Sequence, residues 1–235
     1  THLGHSFPTR RSSDLYILGF DQICISELFT IPSIAHTEMG KFIIKENPNN
    51  YKIAVNGFTY EFSKVRGCFD VIQKDGKNLI EAPIEYNIYR APTDNDKNIK
   101  WKWQNAGYDR MVSRTYQCDI VEEEHEISIT CKMSMGALSI QNFMKYDVVW
   151  TIAEDGSIRF NFDGEFNEIF PYLPRLGLKL KLPKPYQNIN YFGYGPMESY
   201  CDKHHGCYID CFNTTVSQLH EDYLKPQENG SHYYC

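Results

Sequence analysis

Long apolar runs are absent from this chain. None of its segments approaches the roughly 18 residues that a membrane-spanning helix needs, although 42% of its 235 residues are hydrophobic. Positive charge is also scarce. The 24 Lys and Arg are outnumbered by 30 Asp and Glu, for a net charge of −6, which argues against nucleic acid or an anionic membrane as a partner. No secretory leader is visible, because Arg10 and Arg11 run into Ser12, Ser13 and Asp14 rather than into an apolar stretch. Internal repeats and low-complexity tracts are missing. So are the short fingerprints of self-contained catalytic sites: there is no G-x-S-x-G elbow, no phosphate-binding loop, no G-x-G-x-x-G and no H-E-x-x-H. The 8 Cys include no Cys-x2-Cys pair, the commonest zinc spacing. Most stand singly in apolar or alternating segments and read as buried free thiols of a reducing, cytoplasmic setting, with disulfides left open by the even count.

What is abundant is aromatic and β-forming. Tyr (17) and Phe (14) together with the turn signals suit pleated sheets. From Phe42 onward the pattern is regular. Asn56-Gly57 between two extended runs is a strong hairpin signal, with Thr59 to Ser63 as the return strand. Asp75-Gly76 marks a second turn, between Phe69–Gln73 and Asn78–Ile80. Ile127, Ile129 and Cys131 alternate on one face, Met144 to Ile152 forms another strand, and Ser157 to Phe162 alternates until Asp163-Gly164. The clearest alternation is Leu176, Leu178, Leu180 and Leu182 with Lys179 and Lys181 between, a half-buried strand ended by Pro183. A second short strand and a loop bearing Glu198, Asp202, His204 and His205 follow. Only Lys100 to Met111 has a helical look, with Trp101, Asn105 and Tyr108 on one face. Short strands with turns every ten residues or so predict an all-β, large antiparallel β-sandwich.

Three groups of residues could carry chemistry. Arg90-Ala91-Pro92-Thr93-Asp94-Asn95-Asp96 sets a guanidinium, an amide and two carboxylates in one loop after the strand Glu85–Tyr89. Such a loop can hydrogen-bond a polyol or a cation. It can equally be a turn whose Asp and Asn cap backbone N–H groups. Cys201, His204, His205, Cys207 and Cys211 have the density of a zinc site, but the Cys-x5-Cys and Cys-x3-Cys spacings fit no common pattern. With Cys207, Ile209 and Cys211 on one strand face, they also read as core. Glycosidase chemistry needs two carboxyl groups about 5 to 10 Å apart. Asp94, Asp96, Asp163, Glu165, Glu168, Glu198 and Asp202 are available, and spacing singles out no pair.

Six motifs occur in a telling order: Arg90 to Asp96; Trp103 with Ala106-Gly107; Leu173-Pro174-Arg175-Leu176-Gly177; Phe192-Gly193 through Gly195-Pro196, Glu198, Tyr200 and Asp202; Thr215-Val216; and Pro226-Gln227-Glu228-Asn229-Gly230. The series resembles the small-chain, C-terminal domain of bacterial β-galactosidases of glycoside hydrolase family 2, over about Tyr51 to Gly230. The resemblance implies a supersandwich similar to galactose mutarotase and retaining hydrolysis of terminal β-galactosides, lactose-type substrates included. It places both catalytic Glu residues on a TIM barrel outside this chain, with Mg²⁺ and Na⁺ expected there and no cofactor or catalytic residue here. The partners it implies are a galactoside substrate, the catalytic barrel domain or large subunit, and oligomer mates.

The family's small domain packs over the barrel mouth and lends the sugar site a Trp that lies beyond the last motif present here. Asp94, Asn95 and Asp96 are carried over as substrate-entrance rim residues. The run Phe7 to Leu15 resembles the translation of a sequencing-adapter oligonucleotide, so the expected organisation is a non-native, adapter-like segment over 1–15, the end of an immunoglobulin-like domain plus linker over 16–50, and the small-chain domain, C-terminally incomplete, over 51–235. Two rival readings remain: a non-catalytic carbohydrate-binding β-sandwich module, and a zinc-stabilised domain.

Overall fold

The computed structural model describes residues 20–25 and 40–235. The adapter-like segment and the expected linker over Pro32–His36 lie outside them, as does most of the strand pair expected over Tyr16–Ile31. Within that pair, 20–25 is described and carries no strand. The chain divides into a larger unit, Ile34–Tyr186 with Tyr223–Glu228, and a smaller one formed by Thr1–Ser33, Gln187–Asp222 and Asn229–Cys235. Among the described residues, no helix is long and apolar enough to cross a membrane.

The larger unit is an antiparallel sandwich, as the alternation predicts. One sheet orders β1 (Ile43–Glu46), β2 (Asn50–Val55), β3 (Phe58–Ser63), β4 (Cys68–Lys74) and β5 (Lys77–Asn78) as a meander. The other orders β10 (Ile158–Phe166), β9 (Met144–Ala153), β8 (Glu126–Gly136) and β7 (Val112–Glu122). A small sheet pairs β6 (Glu85–Asn87) with β11 (Gly177–Lys179). Asn56 (φ 50°) and Gly57 (φ 77°) both take left-handed backbone, as a two-residue hairpin turn demands. Asp75 and Gly76 repeat this arrangement, although β5 is shorter than expected.

The sheets meet through aromatic rings. Trp150 on β9 lies 4.3 Å, centroid to centroid, from its cross-strand partner Phe160 on β10. It sits edge-on to Phe69 (5.2 Å) and Phe62 (6.5 Å) of the opposite sheet. Its indole N–H donates to the Gly67 carbonyl at 3.0 Å, which also accepts the Tyr86 hydroxyl at 2.6 Å. Gly67 has φ 65°, and a Cβ there would meet the Met133 sulfur at 2.5 Å. Only glycine fits both demands. Ile127, Ile129 and Cys131 are fully buried, as their alternation requires.

Three sequence expectations are corrected. β10 does not stop at Asp163-Gly164 but runs on to Phe166. Gly164 pairs with Tyr146, and a Cβ there would lie 2.7 Å from the Phe162 ring, so this glycine serves close packing rather than a turn. The helix α1 (Lys100–Ala106) buries Trp103 and Ala106, while Trp101 is exposed. Its inward face is thus the i, i+3 pair Trp103 and Ala106, and Gly107 ends it in left-handed backbone (φ 82°). The leucine alternation yields a strand of only three residues, β11, which among the described residues pairs with one strand, the equally short β6. Leu178 packs on the core, but Leu176, Leu180 and Leu182 remain about half exposed. Periodicity reports which face is apolar, whereas burial needs a surface to cover that face.

In the smaller unit, β12 (Asn188–Gly195) pairs with β13 (Tyr208–Thr215) along its whole length. The Gln22 side-chain amide bonds both ways to the backbone of Ile209, at 2.8 and 2.7 Å.

Burial makes the larger unit alkali-sensitive. Burial pushes the Cys68 thiol and the Tyr108 hydroxyl each up to about 12, and it raises Tyr60, Tyr86 and Tyr146 as well. An acid whose folded pKa is raised contributes stability in full below its unfolded pKa, about 8.5 for Cys and 10 for Tyr, and loses it as pH rises toward the folded value. The Cys68 thiol alone therefore costs up to about 1.4 kcal/mol for each pH unit above about 9. The melting temperature of the unit is expected to hold between pH 7 and 8 and to fall progressively above 9. A flat profile to pH 11 in thermal melts contradicts this.

Candidate functional site

The loop between β6 and α1 is built around one carboxylate. Asp96 sits in a 3₁₀ turn, Asp94–Asn98, and is buried. It accepts from the Thr93 backbone N–H at 2.7 Å and from the Thr93 hydroxyl at 3.0 Å, a capping arrangement that the Thr-x-x-Asp spacing makes possible. The Arg90 guanidinium grips both of its oxygens, at 2.6 and 3.0 Å. This two-pronged match of fork to carboxylate fixes orientation as well as charge. Arg90 also lies 5.7 Å from the Trp103 ring centroid.

Trp103 links this loop to a distant segment. Its indole N–H donates to the Tyr172 carbonyl at 2.9 Å, and the Tyr108 hydroxyl donates to the carbonyl of Pro171. These two clamps hold Pro171–Tyr172 and so position Arg175, three residues on, where it pairs with Glu228. Next to Glu228, the Gln227 side-chain oxygen accepts the Asp94 backbone N–H at 3.2 Å. Segments that begin at 90, 173 and 226 are therefore tied at one junction in the larger unit. Beside it opens a cleft of about 430 Å³ lined by Tyr89, Arg90, Arg175, Lys179, Glu85 and Glu228, among others. At its edge, the bond from Lys179 holds the Glu85 carboxyl below its usual range.

The three carried-over residues have separate fates. Asp94 and Asn95 are exposed on the 3₁₀ turn, where they can meet a polar ligand. Asp96 is turned inward and bound to Arg90, so it supports the turn. The pairings Arg175–Glu228 and Asp94–Gln227 were not read from the sequence, although all four residues lie in the ordered motifs. The signal was that order itself: motifs recurring together at long separation point to a shared contact.

The loop with Glu198 is a structural corner of the smaller unit. Glu198 is buried, accepts from Lys203 at 2.9 Å and takes the Gly230 backbone N–H at 3.1 Å. Of the face formed by Cys207, Ile209 and Cys211, only Cys207 is buried. Cys201 and Cys211 are exposed. Among the described residues, no three His, Cys, Asp or Glu side chains gather closely enough to hold a metal ion.

Most of the chain resembles known proteins. The family model for the β-galactosidase small chain matches residues 54–235. A β-galactosidase of Actinobacillus pleuropneumoniae is 38% identical over 220 residues, 93% of this chain and 22% of that protein. One from Staphylococcus xylosus is 34% identical over 216 residues, 92% of this chain and 22% of that protein. One from Pseudoalteromonas haloplanktis is 26% identical over 214 residues, 85% and 20% respectively. The chain thus spans about a fifth of the length of these relatives. With the family model covering more than three quarters of its residues, the chain belongs to the β-galactosidase small-chain family.

Proposed function

We propose that this chain is the small-chain part of a retaining β-galactosidase acting on terminal β-D-galactosides, lactose-type substrates among them. In this reading the domain over 51–235 packs over a catalytic TIM barrel, or over a separate large subunit, and shapes the mouth of the sugar site. Both catalytic carboxylates belong to the barrel. The observation that carries the reading is the junction that ties Arg90–Asp96, Arg175 and Gln227-Glu228 together. It makes a rigid turn that presents Asp94 and Asn95 outward, as a rim residue needs to be presented. Asp96 and Glu198, the buried carboxylates of the two loops richest in polar side chains, already hold internal donors. That arrangement suits support rather than proton transfer. Mg²⁺ and Na⁺ are assigned to the barrel, and no step is routed through a metal here.

Complementation tests the proposal. A relative's β-galactosidase lacking its own small-chain segment is mixed with this chain, and a chromogenic β-galactoside is supplied. Activity is expected from the mixture and from neither part alone. Turnover by the isolated chain contradicts the assignment of the catalytic pair, and galactose binding without any gain in turnover favours a carbohydrate-binding module. In the complemented enzyme, Asp94→Ala is expected to raise KM by about 3- to 10-fold with little change in kcat, as loss of a contact common to ground and transition states does. An unchanged KM removes Asp94 from the rim.

A further inference from the structure

The sandwich also holds a pair of thiols that the galactosidase reading does not use. Cys118 on β7 and Cys131 on β8 are direct cross-strand partners in the antiparallel register. Their sulfurs are 3.2 Å apart, with the Cys131 thiol directed at Cys118. Directly opposed residues place their Cα atoms roughly 4.5–5.5 Å apart, inside the window that a disulfide spans without moving the backbone. The two cysteines differ in access. Cys131 is fully buried in the core, while Cys118 is partly exposed, β7 being the outermost strand of its sheet among the described residues. A small oxidant can therefore reach Cys118 from the sheet edge, and Cys131 waits behind it.

We propose that Cys118 and Cys131 form a site of reversible oxidation, closed to a disulfide by a hydroperoxide. The Cys118 thiolate attacks the peroxide and breaks its O–O bond, giving a sulfenic acid and releasing an alcohol, or water from hydrogen peroxide. The Cys131 sulfur then attacks Cys118 and displaces the sulfenic oxygen, which leaves as water with the Cys131 proton. Two thiols and one hydroperoxide thus give one disulfide, one alcohol and one water. The sulfurs lose two electrons and the peroxide gains them. A dithiol reverses the step by exchange. The hydrogen bond from Cys131 favours the Cys118 thiolate, and nearby Lys64 adds to it against the opposing effect of burial. This suits Cys118 as the attacking group. The product staples the edge strand to its neighbour.

Proteolysis reads the outcome cleanly. No Lys or Arg lies between Arg114 and Lys132, so trypsin leaves both thiols in one peptide, Thr115–Lys132. Glu122, Glu123, Glu124 and Glu126 lie between the two cysteines, so a glutamyl protease separates them. The full chain is treated with hydrogen peroxide, denatured, alkylated with iodoacetamide and digested. The tryptic peptide is expected unalkylated and lighter by two hydrogens, and its glutamyl-protease halves are expected to stay joined until reduced. The exposed thiols of Cys201 and Cys211 serve as the reference for peroxide dose. Alkylation of both Cys118 and Cys131 at a dose that oxidises those two overturns the proposal. So does Cys118 sulfinic acid beside an alkylated Cys131. Cys131→Ser is expected to accumulate a dimedone-reactive Cys118. The oxidised chain is expected to melt about 5 °C or more above the reduced one, and equal melting temperatures contradict the staple.

Discussion

Trp150→Ala is expected to cost the larger unit about 4 kcal/mol, enough to leave it largely unfolded at physiological temperature. Trp150 is buried and touches both layers: Phe160 within its own sheet, and Phe69 and Phe62 across the interface. Its removal opens a cavity that the rigid strands around it cannot close. Its N–H also leaves the Gly67 carbonyl, although Tyr86 still donates there. The surviving donor is why the polar loss is the smaller part, about 1 kcal/mol. Trp150→Phe keeps most of the ring contact and is expected to cost about half as much. The urea midpoint of the larger unit's transition, followed by near-UV circular dichroism, measures both. A loss below about 1 kcal/mol for Trp150→Ala would show that the two sheets are held elsewhere.

Asp96→Ala is expected to separate support from contact in the Arg90–Asp96 loop. The substitution removes the acceptor of the Arg90 fork and of two Thr93 donors at once. The Arg90 guanidinium, largely shielded from solvent, is left without its counter-charge. About 2–3 kcal/mol is expected, somewhat less than for a fully buried pair because both side chains keep some solvent contact. The damage falls on the turn, so complementation activity is expected to drop at least tenfold, since small misplacement of positioning groups is amplified in rate. Arg90→Lys is expected to fail in the same direction, because an ammonium cannot grip both oxygens. Asp94→Ala, exposed and outside the ion pair, is expected to leave the melting temperature within about 2 °C. If Asp96→Ala and Asp94→Ala lose activity and stability alike, Asp96 has no separate supporting role.

Local geometry was legible where a residue type has few options. Asn56-Gly57 and Asp75-Gly76 take left-handed backbone, and that composition alone announces it. Buried alternation was legible at Ile127, Ile129 and Cys131, because β8 lies inside its sheet and has neighbours on both sides. The same pattern misled at Leu176 to Leu182. There the strand has one short partner, and pairing depends on chain far away in sequence. Gly164 misled for a related reason, since Asp163-Gly164 looks like a turn until the Phe162 ring above the glycine is known.

Within the Arg90–Asp96 loop, the residue types were visible but their roles were not. Asp94, Asn95 and Asp96 are equivalent as composition. Arg90, six residues upstream, and Thr93, three residues upstream, together turn one of them inward. The Arg175–Glu228 contact spans 53 residues, and periodicity carries no information over that distance.

The irregularity on β7 bears on solubility. Register slips between Thr115 and Gln117, which pair with the adjacent residues Met133 and Lys132 and leave Tyr116 as the extra residue of a bulge. β7 is an outer strand carrying exposed Val112, Tyr116 and Val121. A straight strand of that composition offers its unpaired N–H and C=O groups as a template for another chain, and edge-to-edge stacking follows. The bulge breaks the even spacing of those groups and increases the local twist, so an incoming strand can match only one half of β7 at a time. By this device an apolar border of the sandwich stays unattractive to strands of other molecules.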